Sequence, residues 1–214
     1  MTSALAVYAG ALHRAACGGD GALRLVDPAG TLLRHLDTTA WHADPTPGDH
    51  GLLARCTGAT LDVGCGPGRL AAALSRSGVP ALGIDVSPAA VRLARARGAH
   101  AVVQDVFAPL ADARDWRHAL LADGNIGIGG DPVRLLARCR DLLAPGGTVF
   151  AEVEPPGTQG WRGRVALTDA DRTSEPFAWA VVGADDLGPL AAQAGLRLRE
   201  TWTEEDRWFA CLSR

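Results

Sequence analysis

The segment Leu61-Asp62-Val63-Gly64-Cys65-Gly66-Pro67-Gly68 holds the residue types best suited to chemistry in this chain. Glycines at 64, 66 and 68 let a backbone approach a ligand closely, and an acid about 20 residues on, at the end of the next strand, can hold a ribose diol. Asp85, in Gly83-Ile84-Asp85-Val86, stands at that distance. A dinucleotide fold uses G-x-G-x-x-G, with the pyrophosphate on a helix N-terminus. Here the spacing is G-x-G-x-G, and Asp62 stands at the strand's end. A carboxylate there repels phosphate; it can organise the turn and, directly or through water, meet a cationic ligand group.

Other candidates follow in chain order. Trp41, His42, Asp49 and His50 precede the glycine segment; His42 or His50 is a candidate general base, and Trp41 either packs or touches a ligand. Asp105-Val106 follows a third strand. Asp123-Gly124-Asn125-Ile126-Gly127-Ile128-Gly129-Gly130 follows a fourth, and its glycines imply either close approach to a ligand or plain loop geometry. Glu152 and Glu154 lie on one side of the end of a fifth strand, either facing a crevice or simply solvated. Trp161, Arg162 and Arg164 fall in the long connection after it, where arginine can pair an anionic substrate group. Trp179, Trp202, Trp208 and Phe209 are expected to pack the sheet. No His/Cys/Asp/Glu spacing suggests a metal site, no Gly-x-Ser-x-Gly elbow is present, and a phosphate loop is impossible without lysine.

The elements that must position these residues are legible from residue 60 on. Short apolar runs alternate with helical patterns, the signature of crossover units and a mainly parallel sheet. Strands are predicted at 60–63, 81–84, 101–104, 118–122 and 148–153. Ser87-Pro88 and Asp131-Pro132 start helices with a capping side chain and a proline whose missing N–H costs nothing. A weaker helix is predicted over 185–194, and 196–203 with 207–212 form a closing antiparallel hairpin. The first 58 residues read as a helix over 4–16 and a hairpin over 22–36 turning at Asp27-Pro-Ala-Gly30, a small cap on the main domain of 59–214.

Composition bounds the function. The chain has 214 residues, 47% hydrophobic and 21% charged, with a formal net charge of −3. That balance suits an ordinary soluble globular protein and disfavours nucleic acid as a partner. No run approaches the ~18 apolar residues that would span a bilayer, and no secretory leader is legible, so a cytoplasmic protein is expected. The five cysteines are odd in number and scattered, as cytosolic thiols are. All 21 basic residues are arginine, a bias of GC-rich genomes.

From about Gly51 to Val153 the sequence resembles the class I S-adenosylmethionine-dependent methyltransferases. The resemblance implies a Rossmann-like α/β fold, with helices on both faces of a mostly parallel seven-stranded sheet that has one antiparallel strand. It implies S-adenosylmethionine as cofactor, with S-adenosylhomocysteine as product. It places Asp62, Gly64, Cys65, Gly66 and Gly68 around the methionine half, Asp85 on the ribose hydroxyls, Val86 against adenine, and Asp105 and Val106 at the adenine edge. Asp123 and Asn125 would stand beside the methyl group and, with Glu154 and His42, are the catalytic candidates, Asp123 also meeting the cofactor, and Trp41, Asn125, Trp161 and Arg162 are substrate-binding candidates. The loop at 123–130 departs from the Asn-Pro-Pro-Tyr type that serves nucleobase or glutamine amides. The expected reaction is methyl transfer to an O, N or C nucleophile of a small molecule, with bacterial secondary metabolism a plausible setting. A non-catalytic cofactor- or partner-binding protein and a nicotinamide oxidoreductase remain the alternatives.

Overall fold

A computed structural model describes residues 2–110 and 115–214. The elements, numbered in chain order, are α1 (Ala4–Ala16), β1 (Ala22–Val26), β2 (Leu32–Asp37), α2 (Thr38–His42), α3 (His50–Arg55), β3 (Thr60–Val63), α4 (Arg69–Arg76), β4 (Ala81–Asp85), α5 (Pro88–Ala96), β5 (Ala101–Val103), β6 (Trp116–Leu121), α6 (Pro132–Leu142), β7 (Leu143–Val153), β8 (Trp161–Thr168), β9 (Phe177–Val181), α7 (Ala184–Gln193), β10 (Arg197–Glu204) and β11 (Arg207–Ser213). Helix starts follow their capping residues: Ala90 N–H donates to Ser87 Oγ at 3.3 Å, and Arg134 N–H to Asp131 Oδ1 at 3.1 Å.

Seven strands form the main sheet in the order β10-β11-β7-β6-β3-β4-β5. β3, β4, β5, β6 and β7 pair in parallel, and β11 runs antiparallel to both β7 and β10. This is the seven-stranded sheet with one antiparallel strand that the resemblance implies. The closing hairpin turns at Glu205 and Asp206, both at positive φ (46° and 63°), as the right-handed twist of a two-residue hairpin requires. Strand alternation sorts the core into two layers. Leu61, Val63, Ala119 and Leu121 face α6 and α7, while Leu120, Ala122, Phe150 and Phe209 face α3 and α4.

A second sheet, four strands in the order β2-β1-β8-β9 and all antiparallel, is built from both ends of the chain. The N-terminal hairpin is present where expected, but it joins β8 and β9 rather than capping the domain alone. The stretch read as a long connection after the fifth strand is therefore largely β structure. α1 packs on this sheet through Val7 and Ala11, against Leu23, Leu25, Val165 and Leu167. It is tied to the β8–β9 turn by Arg14 Nη1 to Asp169 Oδ2 at 3.2 Å and by Glu175 N–H donating to Thr2 O at 2.8 Å.

The glycine-rich loop after β6 lies where the two sheets meet. A Cβ on Gly127 would stand 2.0 Å from Ala180 O, and one on Gly130 would stand 3.0 Å from Ala178 Cβ. The close approach that these two glycines permit is thus to β9. Gly127 has no positive φ, so a substitution tests the contact alone. Gly127→Ala is expected to cost about 1–3 kcal/mol by overpacking, read as a lowered Tm in thermal unfolding.

Candidate functional site

The turn after β3 is held by its neighbours. Gly64 and Cys65 donate their N–H groups to Ile84 O at 2.8 and 3.0 Å, and Gly68 donates to Cys65 O at 2.9 Å. Gly66 N–H donates to Asp85 Oδ2 at 3.0 Å, while Asp85 Oδ1 accepts Ser87 N–H at 2.7 Å. Every N–H between 64 and 68 is thereby engaged, Pro67 having none, so the turn offers no amide to a pyrophosphate. Asp62 adds to this: its buried carboxyl stands near Ala71 N–H in the first turn of α4, the place a bound phosphate would take. Asp85 ties the turn together and also faces the cavity beyond it.

That cavity has a volume of about 410 Å3, within the range of small-molecule sites. Its floor includes Asp62, Gly64, Cys65, Gly66, Asp85, Val86, Asp105, Val106, Asp123 and Asn125. Val86 is 50% exposed, an apolar surface at the mouth beside Asp85. Its roof is the second sheet with α1 and α2: Leu23, Leu25, Leu36, Trp41, Leu167, Phe177 and Trp179. Tyr8 reaches down from α1, so that a Cβ on Gly66 would stand 3.3 Å from its hydroxyl. Burial pushes the Tyr8 phenol well above its usual pKa, and the Asp85 and Cys65 charges add to this. The Trp41 and Tyr8 rings meet in a T-shaped arrangement at a centroid distance of 6.2 Å.

Other expected site residues lie elsewhere. Gly68 opens α4 at φ 83° with its Cβ position against Ala94 and Ala99, so it serves helix packing. Neither His42 nor His50 lines the cavity, and Trp161 and Arg162 sit on β8 outside it, Trp161 packed beneath α1's cluster. Glu154 pairs with Arg34 of β2 at 2.8 Å, and Glu152 pairs with Arg207, so neither carboxylate faces the cavity. Trp179, expected only to pack, lines it, whereas Trp202 does stack on Phe209 at 5.4 Å. Asn125 donates from Nδ2 to Val63 O and Gly64 O, both at 2.9 Å, and so locks the loop after β6 onto the glycine turn.

Beneath the floor lies an ionic lattice in which the roles of Arg69 and Arg207 have no spacing signal. Arg69 Nη1 bonds Asp49 Oδ2, and Nη2 bonds both Asp123 oxygens at 2.8 and 2.7 Å. Arg207 bonds Asp49 Oδ1 at 2.8 Å and forms two bonds to Glu152, at 3.0 and 2.7 Å. Glu152 Oε2 also accepts Asp123 N–H at 2.6 Å, which holds Asp123 at φ 53°. Burial works to raise the Asp49 carboxyl, but hydrogen bonds from Arg69 and Arg207 outweigh it and hold the group below the usual range.

Asp62 differs. Burial, with a further push from Asp123, raises it to about 7. Its folded pKa then exceeds the ordinary value of about 3.9, so the folded chain binds that proton more tightly than the unfolded one. Stability from this group is full below about pH 4 and is lost as pH rises through about 7. A nearby ligand cation would offset the loss.

The comparisons with known proteins agree with this geometry. A family profile described as "Methyltransferase domain" matches residues 60–147. Over 98% of its length the chain superposes on 93% of a S-adenosylmethionine-dependent methyltransferase from Bacteroides fragilis solved with S-adenosyl-L-homocysteine, with TM-score 0.74 and 23% identity. It superposes over 83% of its length on 81% of the 1,6-didemethyltoxoflavin-N1-methyltransferase of Burkholderia thailandensis, with TM-score 0.59 and 20% identity. The architecture is that of class I S-adenosylmethionine-dependent methyltransferases. In sequence, 61% of the chain is 32% identical to a ubiquinone biosynthesis O-methyltransferase of Xanthomonas campestris, over 139 residues that make up 50% of that protein. The chain thus spans about half the length of the curated relatives it matches.

The lattice gives one test. Arg207→Met leaves Glu152 and Asp49 short of a partner, and the expected cost is about 3 kcal/mol at neutral pH. The cost relative to wild type should shrink as acid protonates Asp49, which Arg207 helps hold below the usual range, and denaturant unfolding at neutral and mildly acidic pH would measure this.

Proposed function

We propose that the protein transfers the methyl group of S-adenosylmethionine to an O, N or C nucleophile of a small molecule bound beneath the second sheet. The observation that carries this reading is one cavity that joins the turn, Asp85, Val86 and Asp105 at its floor to an apolar compartment beside Asp123 and Asn125. The floor fits the cofactor. Asp85 has oxygens for a diol, Val86 offers an apolar face to adenine, and the carboxylates of Asp62, Asp85, Asp105 and Asp123 outnumber Arg34 and Arg69 among the lining charges. When bound, the cofactor supplies an electrophilic methyl group on a sulfonium, for which alignment is the main requirement.

The chain's own residues supply that alignment. Asp85 and the turn would fix the adenosine end, Tyr8 and Trp41 would close over the turn and shed water, and the Asn125 bridge would hold the loop after β6 against the cofactor's reactive end. His42, Trp161 and Arg162 have no place in this reading, and Glu154, paired with Arg34, does not line the cavity. The open compartment beside Asp123 supports an enzyme over a non-catalytic binding protein, and the engaged turn amides disfavour a nicotinamide cofactor. The roof restricts entry to small acceptors, which favours these over nucleic acid. No helix of the described residues is long and apolar enough to cross a membrane, and the five cysteines are free thiols. With bacterial relatives, this supports a bacterial cytoplasmic setting.

Calorimetric titration with S-adenosylmethionine, S-adenosylhomocysteine and NAD tests the reading. Binding of both adenosyl ligands and not of NAD is expected; NAD alone, or nothing bound to folded protein, would overturn it. Asp85→Asn should weaken S-adenosylhomocysteine at least about tenfold while the protein stays folded. Near pH 6.5, S-adenosylmethionine should also expel a proton from Asp62, so that the observed heat varies with the ionisation enthalpy of the buffer. The net-neutral homocysteine product should expel fewer protons, and above about pH 8 the difference should vanish.

A further inference from the structure

The roof of the cavity is apolar with one exception. Leu23, Leu25, Leu167, Phe177 and Trp179 present hydrocarbon and ring surface, and Arg34 of β2 is the one charged roof residue among the described residues that line the cavity. The guanidinium lies over the loop that carries Asp123 and Asn125, since a Cβ on Gly124 would stand 3.1 Å from Arg34 Nη1. Nη1 bonds Glu154 at 2.8 Å, and among the described residues that is the side chain's one hydrogen bond. Arg69, the other lining arginine, is committed to Asp49 and Asp123 below the floor.

We propose that the acceptor is a small, mainly apolar molecule bearing one acidic oxygen, and that Arg34 holds this oxygen as its anion beside Asp123. The inference rests on the methyl-transfer reading and names its substrate class. An arginine in a partly shielded apolar site makes charge-assisted bonds to an anionic oxygen and lowers the pKa of a hydroxyl placed against it. No histidine lines the cavity to take a proton. With Arg34 the acceptor enters as its anion and its proton goes to solvent, so the oxygen's lone pair is free when the methyl group is presented. Methylation turns that anion into a neutral ether or ester, which pairs poorly with Arg34 and is released. Glu154 is a positioning residue here: it fixes one edge of the guanidinium and leaves the other edge to the ligand. Glu154, bonded to the fork, and Asp123 and Glu152 in the adjoining elements oppose binding of the anion, and the remaining donors of Arg34 must outweigh them.

Three matched probes test this in protein saturated with S-adenosylhomocysteine: 4-nitrophenol, its neutral isostere 4-nitroanisole, and the cation of 4-nitrobenzylamine. The nitrophenol should bind as phenolate, its pKa read from absorbance lowered by about one unit. The anisole and the amine should bind at least about tenfold more weakly. Arg34→Met should abolish the pKa lowering and weaken the phenol about tenfold, while S-adenosylhomocysteine affinity stays as in wild type and the protein stays folded. Arg34→Lys, which keeps the charge, should retain part of the lowering and guards against a misfolded Met variant. Equal or tighter binding of the anisole or amine, an unchanged phenol pKa in Arg34→Met, or no phenol binding to loaded protein would overturn the proposal. If wild type fails to take up S-adenosylhomocysteine, the methyl-transfer reading itself falls, a result distinct from each of these.

Discussion

The rest of the structure depends on the buried pairing of two arginines with three carboxylates. Asp49, fully buried, comes from the segment before the main sheet; Arg69 opens α4, Arg207 opens β11, Glu152 lies near the end of β7, and Asp123 follows β6. No two of these residues are neighbours in sequence. Charges taken out of water are costly, so such a lattice contributes little net stability, while removing one member leaves the others uncompensated. Its effect is positional. With both Arg69 and Arg207 in place, Asp123 can hold a backbone conformation that L side chains rarely adopt, and the chain turns there into the loop that borders the cavity.

The lattice also sets the electrostatics above it. Its three carboxylates exceed its two guanidiniums, and Asp62 and Asp85 stand close by with raised pKa values, burial being the main cause. Burial keeps part of this acidity protonated, Asp62 above all, so a cationic ligand would draw the proton off, and none of the turn's amides is free to pair with an anion. Anionic ligands are thereby disfavoured at the floor. The roof reverses the sign at one point, Arg34. A ligand pair in which the floor-side partner is cationic and the roof-side partner anionic matches both surfaces at once, and that polarity also aligns the two partners.

What was legible in the sequence is what local chemistry determines. The glycine turn, the Ser87-Pro88 and Asp131-Pro132 helix starts and the closing hairpin each carry their signal within a few residues, and their elements lie within a few residues of the expected places. The second sheet joins strands about 140 residues apart in sequence, with Arg24 opposite Thr168; its β1–β2 hairpin is announced by the turn, but β8 and β9 alternate too weakly to announce themselves. β8 runs three exposed residues, Arg162, Gly163 and Arg164, into three buried ones, Val165, Ala166 and Leu167, with no alternation. The glycines at 127 and 130 signalled close approach correctly, but their sequence could not say whether a ligand or a strand was approaching. One signal was available for Arg69. An arginine in the first turn of a helix opposes the helix dipole and calls for a carboxylate partner; Asp49 and Asp123 are those partners.

Floor and roof therefore differ in how far they can change. The floor is a closed system of bonds: Asp85 to Gly66, Asn125 to Gly64, Asp123 to Arg69, each also supporting the next. Altering one member disturbs the cofactor's place. The roof meets the floor at a narrow seam, the Gly127–Gly130 stretch against β9 and the Arg34–Glu154 pair, and otherwise presents side chains from β1, β2, β8 and β9 that contact the cavity one by one. A substitution at Leu25, Phe177 or Trp179 changes the shape of the acceptor compartment without breaking a floor bond. The architecture thus separates the invariant part of the chemistry from the part that selects the acceptor, and it places the selecting part on the strands that local sequence signals describe least.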